Sequence, residues 1–321
     1  MQTLKTAFLF CLMTLTALSL SGCGDPVKEQ ITQQLPITEK RIVQLSEALS
    51  RGEVRNARLI NQYADKVLKI KPDLSPLIAQ FRKDATVDGP MFKALLDRIS
   101  TVKRQPQMFK SSQALYSELL NIYQAADPIL YSDALSDPLN VLADMSDGAL
   151  PRINSLSKTA SAQANNAQSF GTGEQLIGNP SYGNWQTGSS GMSFWAWYGM
   201  YSMMGDVFGR RTSYSDWGRS RNYSYYNDYG RTRYSSPGQL KKQTQLDSRT
   251  KKSFANRGQK FTSPYSKNRA GSSSLSSQSK TAQSSAKRFR SDSVKKSSYA
   301  NKNSSFRNSK TNTSRGFRRG K

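Results

Sequence analysis

Histidine is absent from this 321-residue chain, and cysteine occurs only at Cys11 and Cys23. The first absence removes the Ser-His-Asp and Cys-His catalytic arrangements and every histidine-ligated zinc site. The second leaves little scope for disulfide staples, so a folded core must rest on apolar burial. Long hydrophobic runs are missing too. Residues 7–20 form an apolar stretch of 14 residues, whereas a membrane-spanning helix needs about 20. Acid is scarce toward the C-terminus: residues 210–321 hold 28 Lys and Arg against four Asp and no Glu, a net +24 out of the chain's +25. Leu240, Leu246, Leu275 and Val294 are the only Leu, Ile or Val residues of that stretch. With so little aliphatic surface to offset the entropy of ordering, it reads as a disordered basic tail.

At the N-terminus, Lys5 precedes the apolar stretch, and the small residues Ser21 and Gly22 then lead into Cys23. This is the layout of an export signal. The ending Leu20-Ser21-Gly22-Cys23 resembles the lipobox of bacterial lipoproteins. The resemblance implies cleavage before Cys23, a diacylglyceryl group on its sulfur and acylation of the new N-terminus. Each buried lipid methylene adds about 0.8 kcal/mol, so several chains make a permanent membrane anchor. In enterobacterial members of that family an Asp directly after the cysteine retains the protein in the inner membrane. Gly24 stands there in this chain, which implies the outer membrane, facing the periplasm. Because Cys11 departs with the signal and Cys23 carries lipid, no disulfide is expected within one mature chain.

Helix signals crowd residues 36–156. Pro36 is expected to open the first helix, followed by Ile42, Leu45 and Leu49 at helical spacing. Val54, Ala57, Ile60, Ala64, Val67 and Leu68 make one apolar stripe, which Pro72 stops. Asp88-Gly89-Pro90, Asp127-Pro128 and Asp137-Pro138 are further helix starts, and the pattern closes near Asp147-Gly148. No stretch alternates with period two. The expected fold is all-α, a small bundle of six or seven short helices. The chain is thus expected to divide into a signal peptide (1–22), a lipidated tether (23–35), the helical domain (36–156), a flexible linker rich in Ser, Ala, Asn, Gln and Gly (157–190), an aromatic and Met-rich segment (191–209) and the disordered tail (210–321).

The aromatic segment carries Phe194, Trp195, Trp197, Tyr198 and Tyr201, too much ring surface for a solvated linker. It is expected to dock on a membrane or a partner; a core helix, an interfacial helix and a span are the placements open to it. In the tail, Arg210, Arg211, Arg219 and Arg221, then Arg231 and Arg233, interleave with tyrosines, and Lys287, Arg288 and Arg290 form a block farther on. These cations are the expected polyanion contacts. An exported tail meets anionic lipid, lipopolysaccharide or wall polymer first; nucleic acid, held by stacking and phosphate contacts, is the second choice. Catalytic signals are weak. Ser155-x-x-Lys158 and Ser277-x-x-Lys280 lack partner motifs. Gly171-Thr-Gly173 has the wrong spacing for a dinucleotide loop. Glu39, Glu47, Glu53 and Glu118 read as salt-bridging acids rather than a hydrolytic pair. The chain is expected to be a non-enzymatic envelope lipoprotein with a structural or interaction role, using no cofactor and no metal.

Overall fold

A computed structural model describes residues 25–197, 199–208, 211–265, 275–282 and 284. The described chain is mostly helical, with eleven α-helices and one two-stranded hairpin. The first helix starts earlier than expected. Asp25 accepts a hydrogen bond from the Val27 amide at 3.0 Å, Pro26 takes the first helical position, and α1 runs Pro26–Ser50 with Pro36 inside it. An interior proline costs about 3 kcal/mol. Packing offsets that cost: Ile31 and Leu35 lie against the core, and the face Thr38, Ile42, Leu45, Leu49 is buried. The stretch read as a lipidated tether is therefore largely helix from Pro26 onward.

Helix α2 (Arg55–Ile70) buries Ala57, Ile60, Ala64 and Val67, the stripe read from the sequence, and ends before Pro72. Then come α3 (Ser75–Asp84) and α4 (Pro90–Arg104), followed by α5 (Ser112–Ala125), whose N-cap Ser111 accepts from the Ala114 amide. Asp127 caps α6 (Pro128–Ala134) by accepting from the Ile129 and Leu130 amides. Helix α7 (Ser136–Met145) is buried at every position but Asp144, as a central helix must be. It packs against α2, while α1 packs along α5 and α4 against α5. Seven helices thus build the bundle.

The bundle is only part of the core. Residues 157–190, expected as a flexible linker, fold onto it. After α8 (Lys158–Asn165), the 3-10 turn Glu174–Leu176 packs on α7, and Gln175, Leu176, Ile177 and Tyr182 are buried. Strand β1 (Gly183–Thr187) pairs antiparallel with β2 (Ser193–Trp197), with Trp185 opposite Trp195. Helices α9 (Ser202–Phe208) and α10 (Tyr214–Ser220), a π-helical turn at Tyr226–Gly230 and α11 (Pro237–Ala255) follow.

Residues 211–265 are consequently folded, where the composition reads as disorder. Tyrosine supplies what the missing aliphatics do not. Tyr223, Tyr225, Tyr226 and Tyr234 are all buried and join the bundle's own core cluster; a buried aromatic removes about 150–250 Å² from water. Residues 285–321, most of the second half of the expected tail, lie outside the described residues, as does the signal segment.

Candidate functional site

Two buried carboxylates of the bundle hold the later segments in place. Asp84, at the end of α3, accepts from the Tyr201 hydroxyl at 2.6 Å. Burial pushes its pKa up to about 8, with the Tyr201 hydrogen bond pulling the other way. On α7, Asp137 accepts from the amides of Tyr225 at 2.7 Å and Tyr226 at 2.9 Å and from the Ser224 hydroxyl at 3.2 Å. It thereby caps the π-helical turn. Burial raises its pKa to about 7 against those three hydrogen bonds. A third tie is the buried ion pair of Arg98 with Glu118 at 2.6 Å; Arg98 also donates to the Arg233 carbonyl.

These ties decide where the expected docking residues end up. Tyr201 is 1% exposed, its ring edge-on to Phe81 and Tyr182. Trp195 is 6% exposed, and Phe194 and Trp197 are half-buried. Trp195, Tyr201 and Met204 are spent on the protein's own interior, one of the three placements left open, but from a strand and short helical turns rather than one helix, while Met192 and Val207 stay exposed. No helix among the described residues is long and apolar enough to cross a membrane. The Tyr198 side chain lies outside the description.

The expected polyanion contacts separate into two groups. Arg221 is 1% exposed, paired with Asp228 and donating to the Pro264 carbonyl at 3.1 Å. A buried guanidinium needs such partners, and it offers nothing to an outside anion. Arg231 donates to Gln243 at 2.7 Å and lies over the Tyr265 ring, and Arg233 donates to the Tyr229 carbonyl at 3.2 Å. Arg221 leaves the expected set because it is buried; Arg231 and Arg233 are partly exposed but already engaged by neighbours of the fold. Arg211 and Arg219 remain exposed, Arg219 beside Asp216. Arg210, Lys287, Arg288 and Arg290, like the lipidation candidate Cys23, lie outside the described residues. The tyrosines that seemed to interleave for base stacking face inward, Tyr214, Tyr223, Tyr225, Tyr226 and Tyr234 each being at most 4% exposed.

The exposed cationic surface is instead α11, which the composition concealed. Ser236 and Gln239 form a capping box, with Pro237 at the first helical position. The sequence Ser-Pro-x-Gln was the available signal. Gln243, Leu246 and Phe254 turn inward, while Lys241, Lys242, Arg249, Lys251 and Lys252 are exposed. Asp247 is the helix's only acid, paired to Lys251 at 2.8 Å. Leu246 and Phe254 rest on a second core of rings, in which Trp185 lies 5.2 Å from Trp195, 5.0 Å from Tyr214 and 5.2 Å from Trp217. Between the hairpin and α11 are two hollows of about 440 and 750 Å³, which share Thr187, Ser193, Leu246 and Arg249 in their walls.

The carboxylates weighed for hydrolysis are all ion-paired: Glu39 with Lys103, Glu47 and Glu53 with Arg51, Glu118 with Arg98. Lys158 faces Asp144 at 3.3 Å and Glu174 at 3.9 Å. No family model, curated protein or solved structure matches this chain.

Proposed function

We propose that this protein is a membrane-tethered envelope lipoprotein with a non-catalytic interaction role, and that α11 is its polyanion-facing surface. Lipid on Cys23 holds it at the outer membrane, facing the periplasm. The partner is an anionic envelope component: lipid headgroups, lipopolysaccharide phosphates or a wall polymer. The observation that carries this reading is the row Lys241, Lys242, Arg249, Lys251 and Lys252, exposed along one helix with a single acid among them. Exposed Arg257 and Lys260 extend it past the helix end. Such a surface binds by many interchangeable charge contacts and released counterions.

Phosphatidylglycerol-containing vesicles test it. Each Lys or Arg near an anionic surface contributes about 1 kcal/mol, so Lys241→Gln with Lys251→Gln and Lys252→Gln should weaken binding by about 100-fold. These measurements use the full chain carrying Cys23→Ala, which has no lipid, and its binding should fall steeply with salt. Adhesion that persists at about 0.5 M salt, beyond strong screening, or that ignores the triple substitution would refute it. The anchor is tested separately: Cys23→Ala should abolish fatty-acid labelling, and continued labelling removes the lipoprotein reading.

A further inference from the structure

We infer that the turn between α4 and α5, residues 105–111, is a membrane-contact surface that lays Met108 into the bilayer holding Cys23. The inference deepens the lipoprotein reading and rests on it. Asp25 follows Cys23 by two residues, a reach of at most about 7 Å. That is about the depth of one headgroup layer, since the two polar regions together add about 10–15 Å to a hydrocarbon core of about 30 Å. Asp25 is the cap of α1, so a lipid on Cys23 holds the start of that helix at the membrane surface.

The fold puts the turn at the same end. A hollow of about 420 Å³ is lined by Lys28, Ile31 and Thr32 of α1 and, across from them, by Pro106, Phe109 and Ser111. The Ser112 hydroxyl, ahead of the Val27 amide, holds the Asp25 carboxyl below its ordinary pKa, so α5 begins beside the cap of α1. Ile31 and Phe109 both pack on the core, which fixes the turn against the helix. The turn therefore stands beside the first two turns of α1, about 10 Å of rise.

Its surface suits lipid. Met108 is 66% exposed, the most exposed large hydrophobic among the described residues. One exposed methionine is ordinary on a protein in water; beside a lipid anchor it has an apolar phase within reach. Arg104 and Lys110 flank it, both exposed and without an ion pair among the described residues, whereas Lys103 is paired with Glu39. No acid stands between Asp97 and Glu118. Of the acids at the start of α1, Asp25 accepts from the Val27 amide and Glu29 from the Gln33 amide at 3.2 Å. Long cationic side chains keep their heads among anionic headgroups while an apolar neighbour enters the boundary below. None of these cations belongs to α11.

In the acylated chain the Cys23 sulfur is blocked and Cys11 has left with the signal, so an introduced cysteine is the one free thiol. Met108→Cys is labelled with an environment-sensitive fluorophore, and the full acylated chain is placed in vesicles of phosphatidylethanolamine and phosphatidylglycerol with brominated acyl chains. The label should shift to shorter wavelength and lose emission to the bromine. Ser50→Cys, exposed at the far end of α1 and about 36 Å away, should carry a label that does neither. A label on Gln107→Cys should be quenched as well, and adding Met108→Glu with Lys110→Glu should restore its emission while circular dichroism stays unchanged; all three positions are exposed. Lys241→Gln with Lys251→Gln and Lys252→Gln should leave the Met108→Cys label quenched, which separates this contact from the charged face of α11. An unquenched Met108→Cys label on a chain that carries fatty acid at Cys23 overturns this inference and leaves the lipoprotein reading standing, whereas a chain without fatty acid there removes both. Equal quenching at Ser50→Cys, quenching that survives Met108→Glu with Lys110→Glu, or quenching lost with the α11 substitutions also overturns it.

Discussion

Asp84→Asn isolates a pH effect that the fold builds into the range below pH 8. The carboxyl is 1% exposed; Oδ2 accepts from Tyr201, and Oδ1 has no partner among the described residues. Burial lifts its pKa from 3.8 to about 8. A group whose pKa is raised on folding contributes stability that is fully present below its unfolded value and is lost as pH rises through its folded value. The window therefore runs from about pH 4 to about pH 8. Each pH unit in it is about 1.4 kcal/mol, so the whole loss is on the order of 5 kcal/mol, a large share of a typical domain's stability. The Asp84→Asn amide keeps an oxygen for the Tyr201 hydroxyl and cannot ionise. Urea unfolding of parent and variant, read by near-ultraviolet circular dichroism at steps from pH 5 to pH 8, measures the difference. Comparing the two cancels Asp137 and Glu174, which burial also raises. The variant should gain on the parent steadily across this range and be the more stable by several kcal/mol at pH 8. A gap between them that does not change with pH would refute the argument that Asp84 is held neutral by burial.

Asp137→Ala leaves the Tyr225 and Tyr226 amides without their acceptor, while the Ser224 hydroxyl keeps the Gln175 carbonyl at 3.0 Å. At about 1–3 kcal/mol for each buried orphan amide, hydrogen exchange should accelerate in 223–230 well before it does in α1–α7. Gly183→Ala places a Cβ 2.4 Å from the Ala196 carbonyl oxygen. The hairpin must shift, at about 1–3 kcal/mol, and a thermal midpoint and tryptophan emission equal to the parent's would contradict the close approach. Ser236→Ala removes the capping box of α11 and should cost about 1 kcal/mol, with helicity lost from that helix; unchanged circular dichroism and stability count against it.

The bundle was legible because its helices announce themselves locally. Asp127-Pro128 and Pro90 start helices where proline's missing N–H costs nothing, and the stripe of α2 points one way at every turn. Pro36 misled for the converse reason. Local chemistry says helix start, and only packing of α1 along α5 shows that the helix continues through it. From residue 210 onward the scarcity of aliphatic residues reads as disorder, and that reading fails where tyrosine is the core residue. Nothing in Tyr223-Ser-Tyr225-Tyr226 tells an inward ring from a stacking platform, because the side chain suits both. The difference is made by Asp137, 88 residues upstream of Tyr225. Of the binding surface, the cations of α11 were visible as charge, but their exposure depended on a capping box inside a stretch already judged unable to fold. The groove required the hairpin and α11 together, a juxtaposition that no spacing in the chain encodes.

The ties between the two halves all run backward along the chain. Tyr201 reaches 117 residues to Asp84, Tyr234 reaches 109 to the Ala125 carbonyl, and Arg98 meets the Arg233 carbonyl 135 residues on. The bundle's helices need mostly near neighbours, whereas these closures carry the loop entropy of a hundred-residue search. A chain delivered N-terminus first therefore builds its template early and waits. In that interval Phe81, Tyr131 and Asp137 lie bare on a bundle without its cover, the kind of surface that quality-control proteases and aggregation both seize. A stop codon between Tyr201 and Tyr234 should accordingly cost far more protein in the cell than the number of residues removed would suggest.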